Sequence, residues 1–321
     1  MFERVRRLLP PLLGIALLAA PMPGAYAQEK DVIRDLTLPG ISRYVPPRGQ
    51  GSLAQGSGGE VTLSAQLTEH GADISRGLAW RVFKPEPGPD GKLPLVASAH
   101  GGTAIFELEP GSYLVHASYG RAGATKRITV SKQARRENLV LDAGGLELDA
   151  VLSGGIRIPP DKLRFSIYEG GVGTGGDHAL IVPDVQPRAV VRLNAGTYHV
   201  VSTYGSVNAV IRSDIRVEAG KLTEATVEHH AAEITLKLVR EAGGEAIADT
   251  SWSVLNEAGD SIKEAVSAFA PMVLAEGDYT VIAKNRDRIY QKDIIVTAGH
   301  NEEVEVIASE ASAIDPNEGA D

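Results

Sequence analysis

The chain has 321 residues, 43% hydrophobic and 23% charged, enough apolar material for two or three packed domains and too much for a disordered polymer. There is no cysteine, so disulfides, thiolate metal centres, thiol nucleophiles and a lipidated N-terminal Cys are excluded; with aromatics at 5%, stacking platforms for sugars or single-stranded nucleic acid are disfavoured. The formal net charge of −9 sets an acidic surface against phosphate backbones and argues against nucleic acid as a partner.

Residues 1–27 read as a cleavable secretory signal. Arg4, Arg6 and Arg7 are followed by an apolar run, Leu8 to Ala20, broken at Pro10-Pro11, and then by Ala25-Tyr26-Ala27 before Gln28. The run is shorter than the roughly 20 residues that a membrane span needs. An uncleaved anchor and a twin-arginine signal through Arg6-Arg7 are the alternatives. The expected destination is the periplasm or the extracellular space, with no integral span left after cleavage. Residues 28–59 are punctuated by Pro39-Gly40, Pro46-Pro47 and five further glycines, and read as a flexible leader.

The next 250 or so residues repeat. Pro110-Gly-Ser-Tyr-Leu-Val-His-Ala-Ser-Tyr-Gly120 recurs as Ala195-Gly-Thr-Tyr-His-Val-Val-Ser-Thr-Tyr-Gly205 and as Glu276-Gly-Asp-Tyr-Thr-Val-Ile-Ala-Lys-Asn-Arg286, placing Tyr113, Tyr198 and Tyr279 at one position, 85 and 81 residues apart. Trp80 and Phe165 each precede their Tyr by 33 residues and Trp252 precedes its own by 27. The third copy is six residues shorter in this interval, where loops absorb deletions. Opening strands are predicted at Val61–Leu67, Leu146–Leu152 and Ile234–Leu238, and closing pairs at Lys126–Val130 with Asn138–Leu141, Ile211–Val217 with Thr223–Val227, and Lys292–Val296 with Glu303–Ile307. Apolar residues alternate within these runs, as in Val61-Thr-Leu-Ser-Ala-Gln-Leu67, which puts one face on a core and the other in water. About seven short strands per unit predict an all-β chain of three tandem antiparallel β-sandwiches, at 60–143, 144–230 and 231–308, with short connections (Asp142–Gly145 and His229–Ala232) that limit bending. Residues 309–321 read as a disordered acidic tail.

In each unit the Tyr is expected to pack its ring in the core and return its hydroxyl to the preceding loop's backbone, so that Tyr198→Ala costs roughly 3–5 kcal/mol. The aromatics Trp80, Phe165 and Trp252 are expected opposite it. The small-Gly-x-Tyr-x-Val-x-Ala pattern, with Ala-Gly turns at Ala219-Gly220 and Ala298-Gly299, resembles carboxypeptidase-regulatory-like and transthyretin-like (immunoglobulin-like) modules over residues 60–308; the first copy has Ser131-Lys132 in place of Ala-Gly. The resemblance implies a sandwich fold and an extracytoplasmic habitat, and carries no catalytic residues.

No catalytic, cofactor-binding or metal-binding residue emerges. The His229-His230 pair reads as an exposed linker with side chains on opposite faces; His116 and His199 occupy different offsets from their Tyr. Gly170–Gly176 lacks the Lys-Ser/Thr and the following helix of a phosphate loop and reads as a hairpin loop. Asp90, Asp177 and Asp260 supply one carboxylate per loop, too few for calcium. The loops Pro85–Gly91, Gly170–Gly176 and Glu257–Asp260 are where a recognition surface would lie. The expectation is an exported, non-enzymatic structural or binding protein of the envelope whose partner is another envelope protein. An accessory subunit of an envelope enzyme and a glycan-binding protein are the alternatives.

Overall fold

A computed structural model of the chain describes residues 58–171 and 178–309, together with the backbone of 313–314. The expected signal, nearly all of the leader, and the segment 172–177 lie outside the described residues. Among the described residues the regular elements are strands apart from one 3-10 turn, Pro160–Lys162.

The first module consists of β1 (Gly59–Gln66), β2 (Leu78–Phe83), β3 (Leu95–Gly101), β4 (Ala104–Leu108), β5 (Gly111–Tyr119), β6 (Ala122–Val130) and β7 (Arg135–Val140), arranged as sheets β4-β1-β7 and β3-β2-β5-β6. The second consists of β8 (Ala143–Leu152), the short β9 (Ile156–Arg157) at its end, β10 (Leu163–Glu169), β11 (Leu180–Val185), β12 (Val191–Asn194), β13 (Gly196–Tyr204), β14 (Ala209–Val217) and β15 (Leu222–His229), giving β12-β8-β15 and β11-β10-β13-β14. The third consists of β16 (Ala231–Val239), β17 (Ser251–Leu255), β18 (Ser261–Val266), β19 (Phe269–Ala275), β20 (Gly277–Asn285), β21 (Arg288–Val296), β22 (Glu302–Ile307) and a further strand β23 (Ala313–Ile314), giving β19-β16-β22 and β18-β17-β20-β21-β23. One strand order is thus built three times, as a sheet of three facing a sheet of four, the last widened to five by β23.

Two expectations need correcting. The sandwiches are not wholly antiparallel, because β1 runs parallel to β7, β8 to β15 and β16 to β22. A parallel pair needs a long crossover, and the strands between the first and last supply it, five in the first and third modules and six, counting the short β9, in the second. The polar tail also carries a strand, β23, whose Ile314 and Ala313 pair with Ile289 and Tyr290 of β21.

Alternation positions the cores. In β1 and β16 the inward residues Val61, Leu63, Ile234, Leu236 and Leu238 have no exposed surface. Three hydrophobic clusters result, one around Trp80 and Tyr113, one around Phe165 and Tyr204, and one around Trp252 and Tyr279. The six residues missing from the third copy fall in a single connection, since Lys84–Pro94 joins β2 to β3 whereas Asn256–Asp260 joins β17 to β18. In that tight turn the Asp260 amide donates to Asn256 Oδ1 at 2.8 Å, and Gly259 takes φ +84°, a conformation that glycine adopts without steric cost.

Candidate functional site

The repeated aromatics are structural. The hydroxyls of Tyr113, Tyr198 and Tyr279 each donate to the carbonyl four residues upstream, in Glu109, Asn194 and Ala275, at 2.9, 2.8 and 2.9 Å. This fastens the turn before the strand to the strand itself. Trp80 and Trp252 are buried, with Nε1 donating to the carbonyls of Gly102 and Ser267 at 2.7 and 2.9 Å, in matching turns. Tyr198 departs from expectation. It is half-buried, while Tyr113 and Tyr279 are buried, so the second module's core relies on Tyr204 instead, which is 0% exposed.

Among the described residues the loops and histidines gather no catalytic constellation. Asp90 accepts from the Lys92 amide at 3.1 Å and shapes its own turn, as Asn256 does in the third module. Asp177 and most of Gly170–Gly176 lie outside the described residues. Among the described residues no group of three or more His, Asp or Glu is placed to hold a metal ion. His116 is buried against Thr125 Oγ1 at 2.9 Å, and burial, then the charge of Arg81, holds its pKa down. His199 pairs with Asp214 at 2.9 Å and stacks on His178, ring centroids 4.8 Å apart.

The His229-His230 pair corrects the sequence reading in part. Its two side chains do take opposite faces, but His229 is not exposed. It is 1% accessible, its Nε2 lies 2.7 Å from Ser202 Oγ, and its ring meets Tyr204 edge-on at 6.0 Å. His230 faces solvent near Ser153 and Glu276. The strand's alternation, continued two residues beyond Val227, carries His229 inward. Burial first, then the neighbouring His230, lowers the His229 pKa to about 4. The unfolded chain therefore takes up a proton near pH 6.5 that the folded chain refuses until about pH 4, and stability falls as pH drops through that window. We expect the second module to lose on the order of 2–3 kcal/mol between pH 7 and pH 4 from this group. Thermal melts across that range check this, and a His229→Gln variant should show a shallower slope.

The most specific polar chemistry lies at the junctions between modules. The links are two residues (Leu141-Asp142) and one residue (His230) long. At the first junction the turn after β5 meets β12 of the next module. The Arg121 amide donates to the Arg192 carbonyl at 3.0 Å, and the guanidinium of Arg192 sits 4.5 Å from the Tyr119 ring centroid. The Asn194 carboxamide acts as a peptide bond would, accepting from Gly123 N and donating to Gly123 O, each at 3.1 Å, and donating to the Leu141 carbonyl at 2.6 Å. At the second junction the turn after β13 meets β19. Asn208 accepts from the Ala275 amide at 3.0 Å and donates to the Tyr279 hydroxyl at 2.8 Å.

The same positions are used on both occasions. Arg192 and Val273 each lie six residues before their Tyr, Asn194 and Ala275 four before, and Gly120 and Gly205 seven after. Neither glycine has room for a side chain. A Cβ at Gly120 would lie 3.0 Å from Arg192 Cβ, and one at Gly205 2.6 Å from Val273 Cβ. The second junction adds an ionic network. Tyr204 donates to Glu233 Oε1 at 2.8 Å, and Lys162 Nζ lies 2.5 Å from Glu233 Oε2. The Lys162 bond, opposed by burial and helped by Tyr204, lowers the Glu233 pKa, whereas burial and then Glu233 hold the Tyr204 hydroxyl protonated well above its usual range. Lys162 and Glu233, with Arg164 and Met272, line a groove of about 420 Å³ between the modules. Asn194, Asn208 and Glu233 were not singled out by the sequence, because they do not repeat.

No curated protein sequence matches the chain. Among solved structures, the Bacillus anthracis TIE protein aligns at 16% identity over 79% of this chain and 50% of its own, with a TM-score of 0.25. The minor pilin GBS52 of Streptococcus agalactiae aligns at 15% over 53% and 95%, TM-score 0.31, and a streptococcal ancillary pilin at 10% over 78% and 99%, TM-score 0.28. The match thus spans half the length of the TIE protein and nearly all of the two pilins. Residues 233–308, all but the first two residues of the third module, match the family described as the Rhizobiales growth-associated tandem repeat domain.

Proposed function

We propose that the chain is an exported, non-enzymatic protein of the cell envelope that holds three sandwich modules at fixed spacing and presents them to another envelope protein. The observation that carries this reading is the construction of the junctions. One- and two-residue links, a carboxamide bridge at each junction and glycines with no space for a side chain spend sequence on how the modules meet rather than on a cleft. The composition and the signal-like residues 1–27 support export, and the description of the matched tandem repeat family as growth-associated supports a role in building or spacing the growing envelope.

Proximity labelling from this protein in its native envelope tests the proposal. It should mark a small, reproducible set of envelope proteins, and the mature N-terminus should be Gln28. Labelling dominated by cytoplasmic proteins would overturn export. A labelled set consisting of one enzyme, with activity that depends on this chain, would replace the scaffold reading with that of an accessory subunit.

A further inference from the structure

The two junctions define what the free end of a module must offer, and the third module departs from that pattern in two places. Seven residues after its Tyr, where the first two modules carry Gly120 and Gly205, it carries Arg286, in a left-handed conformation at φ +54°. A Cβ at this position would crowd the next module at the first junction, 3.0 Å from Arg192 Cβ, and collide with it at the second, 2.6 Å from Val273 Cβ, so a further sandwich docked as at the second junction would meet the Arg286 side chain. The second departure is at the sheet edge. Gly123, the second residue of β6, has its peptide closed by the Asn194 carboxamide of the next module. The second residue of β21 is Ile289, and its peptide is paired with Ile314 of β23. A backbone strand from the chain's own tail thus stands where, at the first junction, the following module's peptide-like amide stands.

We propose that Ala313–Ile314 is a capping strand, which closes the sheet edge that the first module closes with its successor and so keeps β21 from pairing with β21 of a second copy. An uncovered edge strand presents unpaired N–H and C=O groups to any similar edge. Beyond the two residues that β23 covers, β21 exposes Gln291, Lys292 and Asp293 and, at 73%, Ile295. Two identical edges meeting antiparallel across a two-fold axis form a closed dimer, whereas Arg286 disfavours the head-to-tail arrangement that would extend the array.

A chain truncated after Ser309 tests this. Sedimentation equilibrium should show the truncated chain dimerising with concentration while the full chain, at equal concentration, does not. Amide exchange at Ile289, whose N–H faces outward from the β20–β21 hairpin, should speed up by about tenfold or more at low concentration. A synthetic peptide of residues 310–321 should reverse both effects. An Ile314→Pro variant of the full chain, which loses a ladder donor without removing the tail, should exchange faster at the same amide. Unchanged fluorescence melts in a Trp80→Phe background, where Trp252 is the sole reporter, would show that the third module remains folded in both variants. If the truncated chain stays monomeric, or if exchange at Ile289 is unaltered in both variants, the proposal fails.

Discussion

Tyr113→Ala should destabilise the first module by about 3–5 kcal/mol, and Tyr198→Ala, at the equivalent position of the second, by about 2 kcal/mol. Both substitutions remove a ring and the hydroxyl bond to the carbonyl four residues upstream. The difference lies in what the ring leaves behind. Tyr113 is 1% exposed and packs among Val61, Trp80 and Val115, so its loss opens a cavity that the two sheets cannot close. Tyr198 is half-buried at the margin of its cluster, so water takes up part of the vacated space. Tyr113→Phe keeps the ring and removes only the hydroxyl, with its bond to the Glu109 carbonyl and the long one it accepts from Lys84 Nζ at 3.4 Å, and should cost about 1 kcal/mol. With only two tryptophans in the chain, a Trp252→Phe background leaves Trp80 as the sole fluorescent reporter of the first module, while calorimetry follows the second. Equal losses at Tyr113 and Tyr198 would contradict the unequal burial.

The fold was legible because its determinants repeat. Strand alternation, the Gly-x-Tyr element and the upstream aromatic occur three times, and each copy checks the others. Trp80, Phe165 and Trp252 are buried as predicted, and the six-residue deletion falls in one loop. The parallel pairing of the first and last strands was not legible, because alternation reports which face is buried and carries no information on strand direction. His229 misled for a related reason. A polar residue at a strand's end reads as a linker until its inward register and its partner Ser202, 27 residues away, are known.

The junctions were hidden for a deeper reason. Repeat detection finds what the modules share, and the residues that join them are the ones they do not share. The four-before position is Glu109, Asn194 and Ala275 in turn, and the carboxamide that bridges the junction sits on the later module at the first boundary and on the earlier module, as Asn208, at the second. The same geometric need is met from opposite sides, so no column of an internal alignment records it. Only Gly120 and Gly205 carry a repeated junction signal, and in the sequence they look like ordinary turn glycines.

That signal supports the second large effect. Gly205→Ala should destabilise the chain by about 2–4 kcal/mol and loosen the boundary between the second and third modules. Two costs combine. At φ +72° an alanine Cβ is strained against its own backbone, by about 1 kcal/mol. The new Cβ also falls 2.6 Å from Val273 Cβ, an atom fixed to the β19 backbone rather than the free end of a flexible side chain, so relief requires the modules to separate. Separation would carry off the Asn208 bonds to Ala275 and Tyr279 and the Tyr204–Glu233 bond, since all of them span that boundary. Gly154→Ala is the control, because Gly154 has φ +82° with nothing within 4 Å of the added Cβ, and it should pay the backbone cost alone. Gly120→Ala, whose Cβ would lie 3.0 Å from Arg192 Cβ, should fall between them. Calorimetry would rank the three variants, and small-angle scattering should show a larger radius of gyration for Gly205→Ala but not for Gly154→Ala. If the two variants behave alike, the boundary is not held where the glycine meets Val273, and the junctions do not fix the spacing of the modules.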